Sequence, residues 1–301
     1  MEPTFRLLES KAGELGLKVS FIGIDQLKEL EREFGESRKR GNQAVYKRYL
    51  DSFEFHPPLE FEEAKSIAII AHPERISQVY FEWLGEMHQT ILPPTYLARE
   101  AKTRVNELLT DTLGISGHRW APTKLPLKFL AVKSGLGRYG RNNICYISEF
   151  GSFARLEAVY TNLSFSGPLR SVQALDSCNS CYACMGSCPT GSIRPDCTMI
   201  EAGRCLTYLN ETPGDFPEWV MPEWHHALFG CLRCQEVCPE NRKVIGNTQT
   251  YASFTDEETR LILTAPFSCL PPLVADKLTA FCPSEYYETF VRNLRRLLPK
   301  E

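Results

Sequence analysis

Apolar and polar positions follow two different periods along the N-terminal part of the chain. Thr4 to Glu14 carries apolar residues at helical spacing, whereas the stretch LKVSFIGI that follows is mainly apolar and includes three β-branched residues, as a strand does. A charged amphipathic stretch runs from Gln26 to Phe34, and SIAIIA, residues 66–71, has the composition of a buried strand. The order helix, strand, helix, strand predicts a layered fold of helices on a sheet.

Two later stretches predict further helices. One follows Pro93 and Pro94, and Gly114 is expected at its C′ position. The other is C-terminal, and Ser284 is expected to be its N-cap. The apolar stripes of these two helices are Leu97, Ala101, Val105, Leu108 and Leu109 in the first, and Tyr287, Phe290, Val291, Leu294 and Leu298 in the second.

The composition is that of a folded protein, since 43% of the 301 residues are hydrophobic and 24% are charged. The formal net charge of −3 gives no general attraction to nucleic acid. No run approaches the roughly 18 consecutive apolar residues of a membrane span, and the first residues lack the layout of a secretory signal. We therefore expect a cytoplasmic protein with no membrane partner.

Nine of the twelve cysteines lie between Cys178 and Cys238. Because cytoplasmic thiols stay reduced, this clustering indicates metal ligands rather than disulfide bonds. The stretch CNSCYACMGSCP is the C-x₂-C-x₂-C-x₃-C-P run of bacterial ferredoxins, and CLRCQEVCP repeats that run without its first cysteine. In such paired runs the last cysteine of each run binds the other cluster.

The spacing therefore predicts two [4Fe–4S] clusters. Cys205 is the natural eighth ligand because it lies between the two runs, and Cys197 competes for that place. A pair of Cys₄ zinc sites is the alternative, which a brown colour of the protein would exclude. The remaining cysteines, Cys145, Cys269 and Cys282, have apolar neighbours and are expected to be buried. The predicted ligand sets are Cys178, Cys181, Cys184 and Cys238 for one cluster, and Cys188, Cys205, Cys231 and Cys234 for the other.

The stretch SGLGRYGRNN, residues 134–143, has the G-x-G-x-x-G spacing at Gly135, Gly137 and Gly140. A dinucleotide site requires a strand before the first glycine and a helix after the last one. The residues after Gly140, RNNICYISEFGS, instead predict strand and turn. A nicotinamide or flavin site is therefore disfavoured here.

In this order, the glycine stretch, the two cysteine runs and the GRCLTYLNE segment between them resemble epoxyqueuosine reductase, an iron–sulfur and cobalamin-dependent enzyme of tRNA modification. A more distant resemblance is to the reductive dehalogenases. The resemblance implies an α/β (α+β) fold, with a nitroreductase-like cobalamin-binding core and a bacterial two-[4Fe–4S] ferredoxin-like module. It implies three segments: the core over residues 1–170, the module over 171–247, and a C-terminal helical segment over 248–301 that packs back on the core.

The same resemblance implies roles for single residues. Gly135, Gly137 and Gly140 would let the backbone approach the flat corrin ring. Asn142 and Asn143 would donate hydrogen bonds to the corrin amides, and Thr207 would place a hydroxyl near the cofactor. For each of these residues a local turn or cap is the alternative interpretation.

Two departures from the family pattern bear on the substrate. The aspartate that donates a proton in the family aligns with Ala121, which leaves His118, Lys128 and Tyr139 as candidate proton donors. Family members also continue into a C-terminal helical-repeat domain that helps to hold tRNA, and the sequence has no counterpart of it. We therefore expect an unidentified substrate, a small molecule or a modified nucleoside, with tRNA as the alternative.

The resulting hypothesis is a reductase that takes electrons from a donor such as ferredoxin or flavodoxin, through two [4Fe–4S] clusters, to a bound cobalamin. One alternative is an electron-transfer protein that serves a corrinoid or other partner enzyme. Another is a true tRNA epoxyqueuosine reductase. The neighbouring pair His225 and His226 is expected to order the loop before Cys231 rather than to bind metal.

Overall fold

The computed structural model describes residues 3–38, 51–195 and 199–300. Cys197, the competing ligand, lies outside the described residues. The strands are β1 Lys18–Gly23, β2 Ser66–Pro73, β3 Ile76–Trp83, β4 Glu86–Leu92, β5 Trp120–Pro122, β6 Gly137–Tyr139, β7 Cys145–Ile147, β8 Ala154–Thr161 and β9 Thr248–Phe254. The helices are α1 Pro3–Glu14, α2 Leu27–Arg38, α3 Ala98–Leu109, α4 Leu127–Lys133, α5 Ala183–Ser187, α6 Leu206–Glu211, α7 Arg233–Glu236, α8 Asp256–Thr264, α9 Pro272–Thr279 and α10 Tyr287–Leu297.

The chain forms two compact units, and each is built from three separate segments. The first unit comprises Met1–Glu74, Arg99–Tyr182 and Ile193–Ala202, and the second comprises Arg75–Ala98, Ala183–Ser192 and Gly203–Glu301. This division differs from the three consecutive segments expected from the sequence. The predicted module is split, because residues 171–182 belong to the first unit and residues 203–247 to the second.

The first unit contains a four-stranded antiparallel sheet in the order β1-β2-β8-β5. Its strand β2 is buried on both faces. Ile67 and Ile69 pack in a cluster with apolar residues of α2 and α4, and Ala68 and Ile70 pack with those of α1 and α3. Helices on both sides explain why SIAIIA has no polar position after Ser66, and this sheet confirms the mixed α+β fold.

The end of α3 differs from the prediction. The helix continues through a wider π-helical turn at Thr110–Gly114, so Gly114 is not the C′ residue. Gly117 ends the turn instead, with a φ of +77°, a conformation that favours glycine. Gly114 packs near the ring of Trp120, where an added Cβ would lie 3.7 Å from the nearest ring atom.

The second unit contains a three-stranded sheet in the order β4-β3-β9. Strands β3 and β4 form an antiparallel hairpin, whose turn residues Leu84 and Gly85 both have positive φ. Strand β9 pairs parallel to β3, so the segment after residue 247 opens with a strand rather than a helix. Phe81 of β3 stacks on Phe254 of β9 at 5.0 Å between ring centroids.

The C-terminal helices cover this second sheet. The predicted stripe of α10 is confirmed, because all five of its residues are buried in one core with Val79 and Phe81. Ser284 is not the N-cap, since it begins a short 3₁₀ turn and Tyr286 precedes α10. Cys145 and Cys282 are buried as expected, whereas Cys269 is exposed. Among the described residues, no helix is long and apolar enough to cross a membrane.

Candidate metal centre

The second predicted ligand set lies entirely in the second unit, on three short helices. Cys188 follows α5, Cys205 is the N-cap of α6, and Cys231 and Cys234 flank the start of α7. Helices α5 and α7 are joined by a hydrogen bond from Ser187 Oγ to the backbone oxygen of Arg233, 3.0 Å long. The three sulfurs of Cys188, Cys205 and Cys231 lie close together, because the charge of Cys188 raises the pKa of Cys205 and the charges of Cys205 and Cys188 raise the pKa of Cys231.

Hydrogen-bond donors surround these sulfur atoms. The Cys205 sulfur accepts from the backbone N–H groups of Thr207 and Tyr208 and from the Thr207 hydroxyl. The Cys231 sulfur accepts from the backbone of Arg233, and Cys188 Sγ lies 3.5 Å from Thr190 Oγ1. Such bonds to cluster sulfurs are one means by which proteins set a cluster's reduction potential. Thr207 therefore contacts a predicted cluster ligand in this structure.

The thiols are poor acids in their present surroundings. Burial, together with the neighbouring sulfurs of Cys205 and Cys188, raises the pKa of Cys231 to about 12 against the opposing hydrogen bond from the Arg233 backbone. Burial also raises the pKa of Cys205. A site that disfavours free thiolates becomes stable when a metal replaces the protons, so cluster binding here is coupled to proton release.

A [4Fe–4S] cluster and a single zinc ion require different spacings of their cysteine ligands. Within the described part of the chain, no three His, Cys, Asp or Glu side chains converge closely enough to hold one metal ion. A tetrahedral zinc site needs four ligands on one atom. In a [4Fe–4S] cube each thiolate binds a different iron, so the sulfurs stay further apart. The cysteine runs C-x₂-C-x₂-C-x₃-C-P and C-x₂-C-x₃-C-P supply thiolates in the pattern that cubane clusters use.

Cys178 and Cys181 lie in the first unit, where Arg141 holds their loop. The Arg141 backbone N–H donates to Cys178 Sγ at 3.4 Å. Its guanidinium donates to the backbone oxygens of Cys178 and Cys181, and its charge lies 4.5 Å from the centroid of the Tyr182 ring. The sequence analysis gives Arg141 no role in holding this loop. Its partners are 37 to 40 residues away, and the cysteine spacing gives no indication of them.

The glycine stretch forms the hairpin β6–β7, as the strand and turn interpretation predicted, and helix α4 precedes it. The close neighbours of two of its glycines lie within the hairpin. A Cβ on Gly137 would lie 2.6 Å from Cys145 Sγ, and one on Gly140 would lie 2.5 Å from the Tyr146 ring. Gly135 has a φ of +81°, which L-residues rarely adopt. Packing inside the hairpin thus accounts for the glycines without a ligand.

The predicted corrin donors also have partners within the hairpin. Asn142 is 4% exposed and donates to Tyr146 Oη at 3.0 Å. Asn143 has a φ of +62°, and its backbone oxygen accepts from Lys128 Nζ at 3.0 Å. Lys128 also lowers the pKa of Cys145 against the larger raising effect of burial. These contacts favour the turn interpretation of both asparagines.

The structure groups two of the three candidate proton donors. Tyr139 pairs with Cys145 across the hairpin, and Lys128 reaches the same hairpin through Asn143. His118 instead contacts Asn162, with 3.2 Å between its Nδ1 and Asn162 Oδ1. Ala121, the position of the family aspartate, lies in β5 and pairs with Tyr160 of β8.

His226 orders the loop before Cys231, as expected. Its Nε2 accepts from the backbone N–H of Leu232 at 3.1 Å, and its Nδ1 lies 3.3 Å from the backbone oxygen of Trp224. The ring must be neutral to accept at Nε2, and burial lowers its pKa accordingly. His225 is buried against Phe216, with 4.5 Å between the ring centroids.

A family model described as a 4Fe–4S double cluster binding domain matches residues 177–241, which include all eight predicted ligands. Epoxyqueuosine reductase from Escherichia coli is 36% identical over 151 residues, covering 50% of this chain and 35% of that protein. The enzyme from Francisella cf. novicida is 36% identical over 130 residues, covering 43% and 33%. The enzyme from Bacillus anthracis is 25% identical over 235 residues, covering 75% and 61%. The chain thus spans between a third and three fifths of these relatives.

Solved structures of epoxyqueuosine reductases have the same fold. The Streptococcus thermophilus enzyme gives a TM-score of 0.66 at 18% identity, over 99% of this chain and 81% of that one. A crystal structure with an epoxyqueuosine-modified tRNA-Tyr stem loop gives 0.66 at 20% identity, over 98% and 81%. A catabolic reductive dehalogenase reaches only 0.38, which is too low to support a comparison. The chain is therefore an iron–sulfur protein that resembles epoxyqueuosine reductases in sequence and in fold.

Proposed function

We propose that this protein is a tRNA epoxyqueuosine reductase that carries two [4Fe–4S] clusters. The observation that carries the proposal is the second cysteine set, of which Cys188, Cys205 and Cys231 lie close together inside a segment that matches a double-cluster domain. Removing an epoxide oxygen as water takes two electrons and two protons. Iron–sulfur clusters pass single electrons, so a pair of them can supply the electrons from a donor such as ferredoxin or flavodoxin.

The similarities support this substrate better than the unidentified one expected from the sequence. That expectation rested on Ala121, at the position of the family aspartate. The curated relatives are named epoxyqueuosine reductase, and one structural neighbour holds an epoxyqueuosine-modified tRNA stem loop. We therefore propose tRNA, rather than a small molecule, as the substrate partner.

A proton donor other than the family aspartate is part of the proposal. One Bacillus subtilis structure is described with its catalytic aspartate loop swung out of the active site. Here Ala121 has no acidic group and is held in a strand of the first sheet. Tyr139 is the preferred donor, because it is half-buried in the hairpin and Lys128, the other candidate there, donates to Asn143.

Cobalamin is the proposed partner of the clusters, in agreement with the similarity to epoxyqueuosine reductases. It would supply a strongly reducing cobalt centre. The residues predicted to hold the corrin make their described contacts within the protein; these are Gly137, Gly140, Asn142, Asn143 and Thr207. Their contacts therefore add no evidence for a corrin site beyond the similarity to epoxyqueuosine reductases. The absorbance of protein purified with cobalamin tests whether the cofactor binds.

The test is conversion of epoxyqueuosine to queuosine in tRNA by anaerobically reconstituted protein, measured by mass spectrometry of the digested nucleosides. We expect conversion with a reduced flavodoxin or ferredoxin, and strong loss of it in Tyr139→Phe but not in His118→Gln. Protein with full iron and cobalamin that converts no tRNA would exclude the proposed activity. If the same preparation reduces only a partner protein, the electron-transfer alternative holds.

A further inference from the structure

Helix α10 turns two polar side chains toward the interior of the second unit. Asn293 is 1% exposed, and its Nδ2 donates to the backbone oxygens of Asn210 and Leu228, each at 2.8 Å. The Arg292 guanidinium donates to Asn293 Oδ1 at 2.9 Å through Nη2 and at 3.1 Å through Nε. Because its oxygen accepts from a cation, the amide of Asn293 can only present Nδ2 to the two carbonyls.

Arg292 caps the carboxyl end of α6. It donates to the backbone oxygens of Leu209 at 2.9 Å and Thr212 at 2.8 Å, and also to that of Gly214. The last carbonyls of a helix lack partners within it, and a cation there complements the helix dipole. Helix α6 has only six residues, too few to be stable alone. Its opposite end is Cys205, so Arg292 stabilises the element that carries this ligand.

Asn210 extends the same network to the Cys231 loop. Its side chain is fully buried and donates through Nδ2 to the backbone oxygen of Gly230 at 2.7 Å. Gly230 precedes Cys231, and Leu228, two residues earlier, is bound by Asn293. The segments that carry Cys205 and Cys231 are thus tied to the same pair of residues on α10.

We propose that Arg292 and Asn293 are positioning residues for the second cluster, the one bound by Cys188, Cys205, Cys231 and Cys234. This inference rests on the proposed function, because it requires that this cysteine set binds a cluster. Both side chains act on backbone carbonyls of the ligand segments. Cluster potentials depend on hydrogen bonds to the sulfurs and on solvent exposure. Loosening these two segments therefore changes the midpoint potential or the occupancy of the second cluster and leaves those of the other cluster unchanged.

The experiment compares Asn293→Asp and Arg292→Lys with the wild type, all purified anaerobically. Asn293→Asp keeps the size of the side chain but removes its two N–H donors. Arg292→Lys keeps the positive charge but removes the planar guanidinium that donates to several carbonyls at once. Glu288→Gln is the matched control, because Glu288 is exposed on the same helix. Iron content and redox titration followed by electron paramagnetic resonance give the occupancy and midpoint potential of each cluster.

We expect both variants to shift the midpoint of one cluster, or to lose that cluster and about half of the iron. The second midpoint and the control should match the wild type. Variants that keep two clusters at wild-type midpoint potentials overturn the inference. An equal shift of both midpoint potentials also overturns it, because such a shift indicates that the whole protein has become less rigid. If Asn293→Asp does not fold, Arg292→Lys alone decides. A wild type without clusters refutes the proposed function, whereas unaffected variants of a two-cluster wild type refute only this inference.

Discussion

At the scale of single residues, Gly230 occupies a position that no other residue type fits well. Its φ is +64°, and an added Cβ would lie 2.5 Å from Tyr96 Oη. The Tyr96 ring cannot easily move, because its hydroxyl donates to the half-buried carboxylate of Glu211 and its ring stacks on Phe229. The residue before Cys231 is therefore fixed by sterics as well as by hydrogen bonds.

We predict that Gly230→Ala lowers the stability of the protein by about 1 to 3 kcal/mol, from backbone strain and overpacking. Gly35→Ala is the control, since Gly35 lies in helix α2 with no atom within 4 Å of an added Cβ. That change should instead stabilise by about 0.5 to 1 kcal/mol. Thermal unfolding of both variants measures the difference, and equal midpoints would show that the Tyr96 contact is not restrictive.

The eighth cluster ligand gives a second prediction at this scale. Cys205→Ser should remove about half of the bound iron, because a cubane cluster needs all its thiolates. Cys197→Ser should leave the iron content unchanged, and Cys269→Ser, at an exposed cysteine, is the control. Iron analysis of anaerobic preparations checks this. The reverse result, loss only in Cys197→Ser, would exchange the two cysteines in the assignment.

At the scale of elements, periodicity predicted helices and strands better than it predicted their ends. The apolar stripe of α10 and the buried strand β2 follow from side-chain spacing alone, because burial on a helix face or in a sheet imposes that spacing. Gly114 and Ser284 were wrong as helix ends. Their residue types fit a cap, but a π-helical turn and a 3₁₀ turn extend the chain past them.

Helix α8 has a complete capping box at its N-terminus. Its N-cap Thr255 accepts from the Glu258 backbone N–H at 3.3 Å, and the Glu258 carboxylate accepts from the Thr255 backbone N–H at 3.0 Å. We predict that Thr255→Ala costs about 1 kcal/mol of stability, whereas Ser284→Ala costs little. Thermal unfolding of the two variants measures this, and a larger loss in Ser284→Ala would refute the capping assignment.

At the scale of the whole molecule, buried histidines make stability depend on pH. Burial, together with the charges of Arg296 and Arg292, lowers the pKa of His225 from 6.5 to about 4. The folded state therefore holds a neutral ring that the unfolded chain protonates below about pH 6.5. The contribution of His225 is complete above that pH and is lost as the pH falls toward 4.

We predict that the unfolding temperature falls less between pH 7 and pH 5 in His225→Phe than in the wild type. Phenylalanine keeps the ring contact with Phe216 and cannot be protonated. Burial raises the pKa of Glu74 and Glu211, and these carboxyls act in the opposite direction in both proteins. The difference between the two proteins isolates His225, and parallel pH profiles would contradict its role.

The sequence predicted the candidate site unevenly for a physical reason. Cluster ligands lie on local turns, so their spacing is visible in the chain, and the double-cluster match includes all eight of them. Arg141 and Arg292 support those turns by donating hydrogen bonds to backbone carbonyls up to 83 residues away. Because every residue has a backbone carbonyl, the sequence does not show which one accepts such a bond. The corrin contacts rested on the resemblance alone and remain predictions.

The parallel pairing of β3 with β9 has a consequence for synthesis. Roughly 165 residues separate the end of β3 from the start of β9. A ribosome adding about 5 to 20 residues per second needs about 8 to 33 s to produce them. For that time one side of β3 is an open strand edge, which can recruit neighbouring nascent chains. Slow translation thus prolongs the stage in which this edge is unpaired.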